Sequence, residues 1–98
     1  LLDERLPDDE EALILNELDA TNDIVGYHRL RSRRSGNARF VEVDVFMQPA
    51  TTVEHAHAVV RDLEDRLAAR LPNLVSTVHV EPHAPGIREG STSPREEY

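Results

Sequence analysis

A helical stripe with an alternating strand on either side of it sets the tightest limit on what this chain can fold into. Val53, Ala56, Val60, Leu63, Leu67 and Leu71 recur at steps of three and four. That spacing predicts one continuous buried face on a long helix, which Pro72 stops. Thr51-Thr52-Val53-Glu54 predicts its start, with Glu54 three residues after Thr51 as in a capping box. Before it, residues 38–48 alternate: Val41, Val43, Val45 and Met47 share one face, and Phe40, Glu42, Asp44 and Phe46 share the other. After it, Leu74 to Glu81 reads as another strand. Two strands of one sheet joined by a helix crossover run parallel, with a right-handed connection.

The remaining elements fall into place around that unit. Residues 26–34 predict a strand paired to 38–48 through the turn Ser35-Gly36-Asn37, whose Gly and Asn tolerate positive φ. Its phase is ambiguous: Tyr27, Arg29, Arg31 and Arg33 fall on one side, His28, Leu30, Ser32 and Arg34 on the other, and a bulge would shift either set. A first helix is expected over 8–19, after Pro7 and an acidic cluster, Asp8 to Glu11, that suits the positive end of a helix dipole. Leu13, Ile14 and Leu18 form its apolar stripe, Leu15 widens it, and 20–23 break it. The order α-β-β-α-β implies an α+β domain: a three-stranded mixed sheet with both helices on one face. The other face is left for solvent or a partner.

Ninety-eight residues allow one small core. With four aromatics, it must be aliphatic and shallow, so pairing with a second copy is expected to bury Phe40 and Phe46. A net charge of -8 argues against generic binding to nucleic acid or an anionic membrane, and favours cations. The absence of cysteine leaves His, Asp and Glu as metal ligands. No apolar run reaches the ~18 residues of a membrane span, so no membrane insertion is expected, and no signal peptide precedes the acidic start. A first residue of Leu rather than Met suggests a piece of a longer protein. Residues 84–98, rich in Gly, Ser, Pro and charge, are expected to form a flexible tail.

The densest ligand chemistry lies in Thr77-Val78-His79-Val80-Glu81-Pro82-His83. Strand alternation sends Val78 and Val80 to one face and leaves His79 and Glu81 together on the other, a two-ligand half-site for a divalent metal. On the long helix, His57 flanks the buried stripe and His55 lies about 200° from it, facing water, so the two do not clasp one ion. His83 is expected to face solvent.

Four segments in order carry a family resemblance: Gly26-Tyr27-His28-Arg29-Leu30-Arg31-Ser32-Arg33-Arg34-Ser35-Gly36, Arg39-Phe40-Val41-Glu42-Val43-Asp44-Val45, Glu54-His55-Ala56-His57 and Val78-His79-Val80-Glu81-Pro82. Over residues 8–83 the chain resembles the C-terminal cytoplasmic domain of the cation diffusion facilitator family. These are dimeric membrane antiporters that export zinc, iron, manganese, cobalt or cadmium in exchange for protons. The resemblance implies an abbreviated ferredoxin-like, metallochaperone-like fold that forms a homodimer and responds to metal. The resemblance also implies a place at the cytoplasmic face of the membrane, with residues 1–7 leading in from a transmembrane part of the same polypeptide. It further implies His28, Asp44, His57, His79 and Glu81 as ligands of a divalent cation. Zinc is the first expectation, with manganese and iron(II) as alternatives. Asp44 stands where the family often has histidine and Glu81 where it often has aspartate, which makes the site harder and shifts its preference from zinc toward manganese or iron.

Three rival readings set the contrast. An arginine face of Arg29, Arg31, Arg33, Arg34 and Arg39 suits RNA or an acidic partner, but no aromatic stacking pair accompanies it. Salt bridges to the acidic first helix are its plain alternative. A metal-dependent enzyme is not expected, because no nucleophile, cofactor loop or acid/base pair is evident. A metal-free ferredoxin-like dimerisation module is the third.

Overall fold

The computed structural model describes residues 4–84; apart from Ala84, the expected tail lies outside them. The elements are α1 (Asp8–Asp19), β1 (Gly26–Ser35), β2 (Ala38–Met47), α2 (Val53–Arg70) and β3 (Leu74–Pro82). The sheet order is β1-β2-β3, with β1 antiparallel and β3 parallel to the central β2. The fold is the α-β-β-α-β mixed sheet that the hydrophobic pattern implies. Gly36 makes the two-residue hairpin turn possible: it takes φ 62, and space for a Cβ is not the constraint, since none of its surroundings come within 4 Å.

Both helices pack on one face. Ile14 and Leu18 of α1 and Leu63 and Leu67 of α2, with Leu71 just beyond it, meet Tyr27, Leu30, Val41, Val43, Val45 and Met47 of the sheet. The helices are also tied to each other. Arg66 of α2 donates to Glu17 Oε1 at 2.9 Å and to Thr21 Oγ1 at 2.5 Å, while Thr21 Oγ1 donates to the Glu17 carbonyl at 2.7 Å and closes α1. At the other end of α1, the Pro7 carbonyl accepts the amides of Glu10 and Glu11, each at 3.0 Å.

Two expectations about this layer are corrected. The cap of α2 is Thr52, whose hydroxyl accepts the His55 amide at 3.0 Å. The helix starts at Val53, so the third residue after the cap is His55 and no capping box with Glu54 forms. Val53 is 88% exposed. The first turn of α2 stands off the sheet, leaving a groove of about 500 Å³ lined by Met47, Pro49, Ala56, His57, Val60 and Val80 among others. The buried stripe therefore tightens only from Leu63 onward. The packed unit also takes in part of the stretch read as a lead-in. Leu6 is 2% exposed, its amide donates to Ser32 Oγ at 3.2 Å, and Glu4 pairs with Arg34 along the outer edge of β1. A short segment covers that edge, where open backbone groups would otherwise face solvent.

Charge fixes the helix layer to the sheet. Ser32 Oγ donates to the buried Glu11 carboxylate at 2.6 Å, and Arg5 pairs with the same group. Arg39 grips Glu10 with two bonds, 2.8 and 3.0 Å, and donates to the Pro72 carbonyl at 2.8 Å. Hydrogen bonding from Arg39 holds the Glu10 carboxyl below the ordinary glutamate value, and Glu10 in turn raises Arg39. One arginine of the basic cluster is thus bonded to the acidic first helix.

Candidate metal centre

The uncovered face of the sheet gathers its chemistry because of a break in β1. His28 faces Asp44 and Arg31 faces Glu42, so Arg29 and Leu30 together oppose Val43, a one-residue bulge. Arg29 takes φ 58 to make it, a left-handed conformation that a non-glycine residue seldom adopts. The bulge resolves the ambiguous phase. Tyr27 and Leu30 turn to the helices and are 8% and 2% exposed, while His28, Arg31 and Arg33 register with the open-face residues Asp44, Glu42 and Phe40. Arg33 lies over the Phe40 ring at 4.1 Å.

Across the open face the residues form rows. Arg31, Glu42 and Thr77 make one, His28, Asp44 and His79 the next, and Gly26, Phe46 and Glu81 the third. From these rows His28, Asp44 and Glu81 bring one ligand atom each to within 4.8 Å of one another. Each comes from a different strand. Tetrahedral bonds of about 2.1 Å set donors about 3.4 Å apart, and His28 Nε2 lies 3.2 Å from Asp44 Oδ2. His28 Nε2 is shut off from solvent and, close as it lies to Asp44, makes no hydrogen bond. A buried imidazole nitrogen left without a proton partner costs about 1–3 kcal/mol. A cation at that position would satisfy it. The residues present therefore fit a divalent ion held by one nitrogen and two carboxylate donors.

Phe46 supplies the floor. Expected on the open face as apolar area for a partner to cover, it is 2% exposed instead, with its ring tilted at 53° against that of His28 and centroids 4.8 Å apart. Its role was invisible in the sequence because it depends on the bulge that brings His28 alongside. Gly26, opposite Phe46, adds no side chain to compete for that space.

The other expected ligands stand apart from this trio. His79 is the neighbour of Asp44 in β3 but turns to Glu42, Nε2 to Oε2 at 3.2 Å, with both side chains about half exposed. His57 is exposed and lines the groove beside α2, a groove whose wall includes Glu81. His55 is exposed as expected and pairs with Asp23 at 3.3 Å. His83, expected to face solvent, is half-buried, because its amide donates to the Met47 carbonyl at 2.7 Å and carries the β2–β3 ladder one step past Pro82.

Comparison with known proteins bears on the same surface. Residues 6–83 match the family described as cation efflux protein, cytoplasmic domain. The chain belongs to this family. The cation-efflux pump FieF of Pectobacterium carotovorum subsp. carotovorum (strain PC1) is 39% identical over 82 residues, and that of Yersinia pestis (strain Pestoides F) 34%. The match takes in 84% of this chain and 27% of each pump, so the chain spans about a quarter of their length. Among solved structures, CzrB, described as a candidate zinc transporter, in its Zn form has a TM-score of 0.77 at 35% identity, covering 89% of this chain and all of that one. The metal-bound C-terminal domain of the CzcD transporter from Thermotoga maritima has a TM-score of 0.72 at 28% identity, with 76% and 87% covered. A cation efflux cytoplasmic domain is part of a membrane transporter, and among the described residues no helix is long and apolar enough to cross a membrane.

Proposed function

We propose that this cation efflux domain senses divalent metal for a proton-coupled efflux transporter, as a homodimer whose metal-loaded state is the tighter one. The observation that carries the reading is the trio His28, Asp44 and Glu81, one residue from each strand, with the solvent-shielded Nε2 of His28 aimed among them. An ion held there would neutralise two carboxylates and restrain three strands relative to one another. His79, next to Asp44, and His57, sharing the groove wall with Glu81, are the remaining donors of the proposed set. They join when the His79–Glu42 pair opens and when α2, from the same or the partner subunit, closes on the sheet. Zinc is the first candidate, on the imidazole content of the full set and on the Zn form of the similar CzrB. The two carboxylates of the trio leave manganese and iron(II) as alternatives. Residues 1–7 lead in from a transmembrane part of the same polypeptide, on the cytoplasmic side, and the domain carries no catalysis of its own.

Calorimetric titration of the 98-residue chain with zinc, manganese and iron(II), beside a mass measurement in solution, tests this. Saturable binding of at least one ion by a dimer is expected. A dimer that binds none of the three overturns the reading in favour of a metal-free dimerisation module, and a monomer that binds none overturns both.

A further inference from the structure

We infer that His83 is a further ligand of this centre, entering from the end of β3; the inference rests on the metal reading above and adds one donor to it. With His79 held by Glu42 and His57 standing apart on α2, the trio supplies three ligand atoms where a tetrahedral ion takes four. Which side the fourth comes from follows from the rows of the sheet. The trio includes Glu81, whose neighbour in β2 is Phe46, and leaves out His79, although His79 is the direct neighbour of Asp44. The centre is thus displaced along the sheet, away from the Glu42 row to which His79 turns. It lies toward the Phe46 row, where His28 stacks.

The next row in that direction belongs to His83. Strand alternation puts residues 79, 81 and 83 on one face, and the bond from the His83 amide to the Met47 carbonyl, 2.7 Å, keeps that alternation going beyond Pro82. The His83 ring is half-buried and its Nδ1 is enclosed, which places the imidazole against the protein. Its nitrogens lie outside the 4.8 Å group, so joining the ion takes a rotation of the side chain where the ladder ends. His-x-Glu-x-His on one strand face thus offers two histidines flanking a shared carboxylate, and the offset of the trio selects His83.

Zinc titration of the 98-residue chain and of His83→Ala, His83→Phe and His28→Ala, with visible absorption of the cobalt(II)-loaded forms, tests this. His83→Ala and His83→Phe should each weaken zinc by at least about tenfold, the scale on which even outer partners of metal ligands act. Both should also alter the cobalt bands, as loss of a nitrogen donor requires. His83→Phe keeps a flat ring in the same place, so wild-type affinity in that variant would mean that His83 only packs, and would overturn the inference. If His28→Ala abolishes binding while both His83 variants bind as wild type, the metal reading stands and the role of His83 falls. If the unmodified chain takes up no zinc or cobalt, both fall together.

Discussion

His28 is held in a position that suits metal binding better than it suits folding. Its ring stacks on Phe46, and its Nε2 is buried without a hydrogen bond beside the Asp44 carboxylate. A phenyl ring would keep the stacking and drop the unsatisfied nitrogen. His28→Phe should therefore unfold at the same or a higher denaturant concentration than the unmodified metal-free chain, while losing zinc by roughly a hundredfold or more. A large loss of stability instead would mean that His28 serves the fold. A different residue governs acid sensitivity. The Glu10 carboxyl is depressed chiefly by hydrogen bonds from Arg39. Its folded value lies below its unfolded one, so its contribution is present above about pH 4.3 and is lost as pH falls through the folded value. Glu10→Gln should cost about 1 kcal/mol at pH 7 and progressively less below about pH 4. Denaturant titrations at pH 7 and pH 3 check this; equal losses at both would place the effect in packing.

At the level of elements, α2 and β1 divide what the sequence made legible from what it hid. The steps of three and four from Val53 to Leu71 identify a helix but not where its packing begins. Leu63→Ala should cost about 2–5 kcal/mol, whereas Val53→Ala, at a position 88% exposed, should stay within about 0.5 kcal/mol. Comparable losses at both positions would mean that the first turn of α2 is packed after all. The alternation of β2 gave its two faces correctly because each residue's side follows from its own strand. In β1 the register slips at Arg29, and nothing local announces this: arginine at φ 58 carries none of the Gly or Asn signal that marks such a position. Phe46 as the floor under His28, Glu42 as the partner of His79, and Leu6 as a core residue were hidden for the same reason. Each depends on a contact made by a distant segment. The bulge is itself testable: Arg29→Val should cost at least about 1 kcal/mol, because a β-branched residue resists that φ, and Arg29→Gly should cost less. Equal stability of the two variants would mean that β1 takes a different path.

For the whole molecule, the question is what an ion on the open face does to two copies of the chain. Phe46 is already covered, so among the described residues the large apolar side chains left exposed are Val53, Val75 and Val80, with Phe40 half-covered by Arg33. Val53 and Val80 line the groove beside α2, while Val75 lies next to Phe40 on the sheet, and two separate small patches argue for a pairing whose geometry the apolar contact only partly fixes. Metal then has leverage. The proposed donors lie on three strands and on α2, so an ion that gathers them has its highest affinity for the closed arrangement and shifts the population toward it. A shift from 1:99 to 99:1 needs about 10⁴-fold tighter binding to the closed state, and a smaller ratio narrows the ensemble without closing it. The absence of native cysteine allows a direct measurement. A spin label on Asp65→Cys, exposed on α2, reports one distance per dimer. Saturating zinc should shorten and sharpen that distribution, and the same label in a His28→Phe background should show the broad one with or without zinc. If calorimetry finds zinc bound to the labelled protein and the distribution stays broad, the metal is held without being sensed. The domain would then store or deliver the ion rather than report its level.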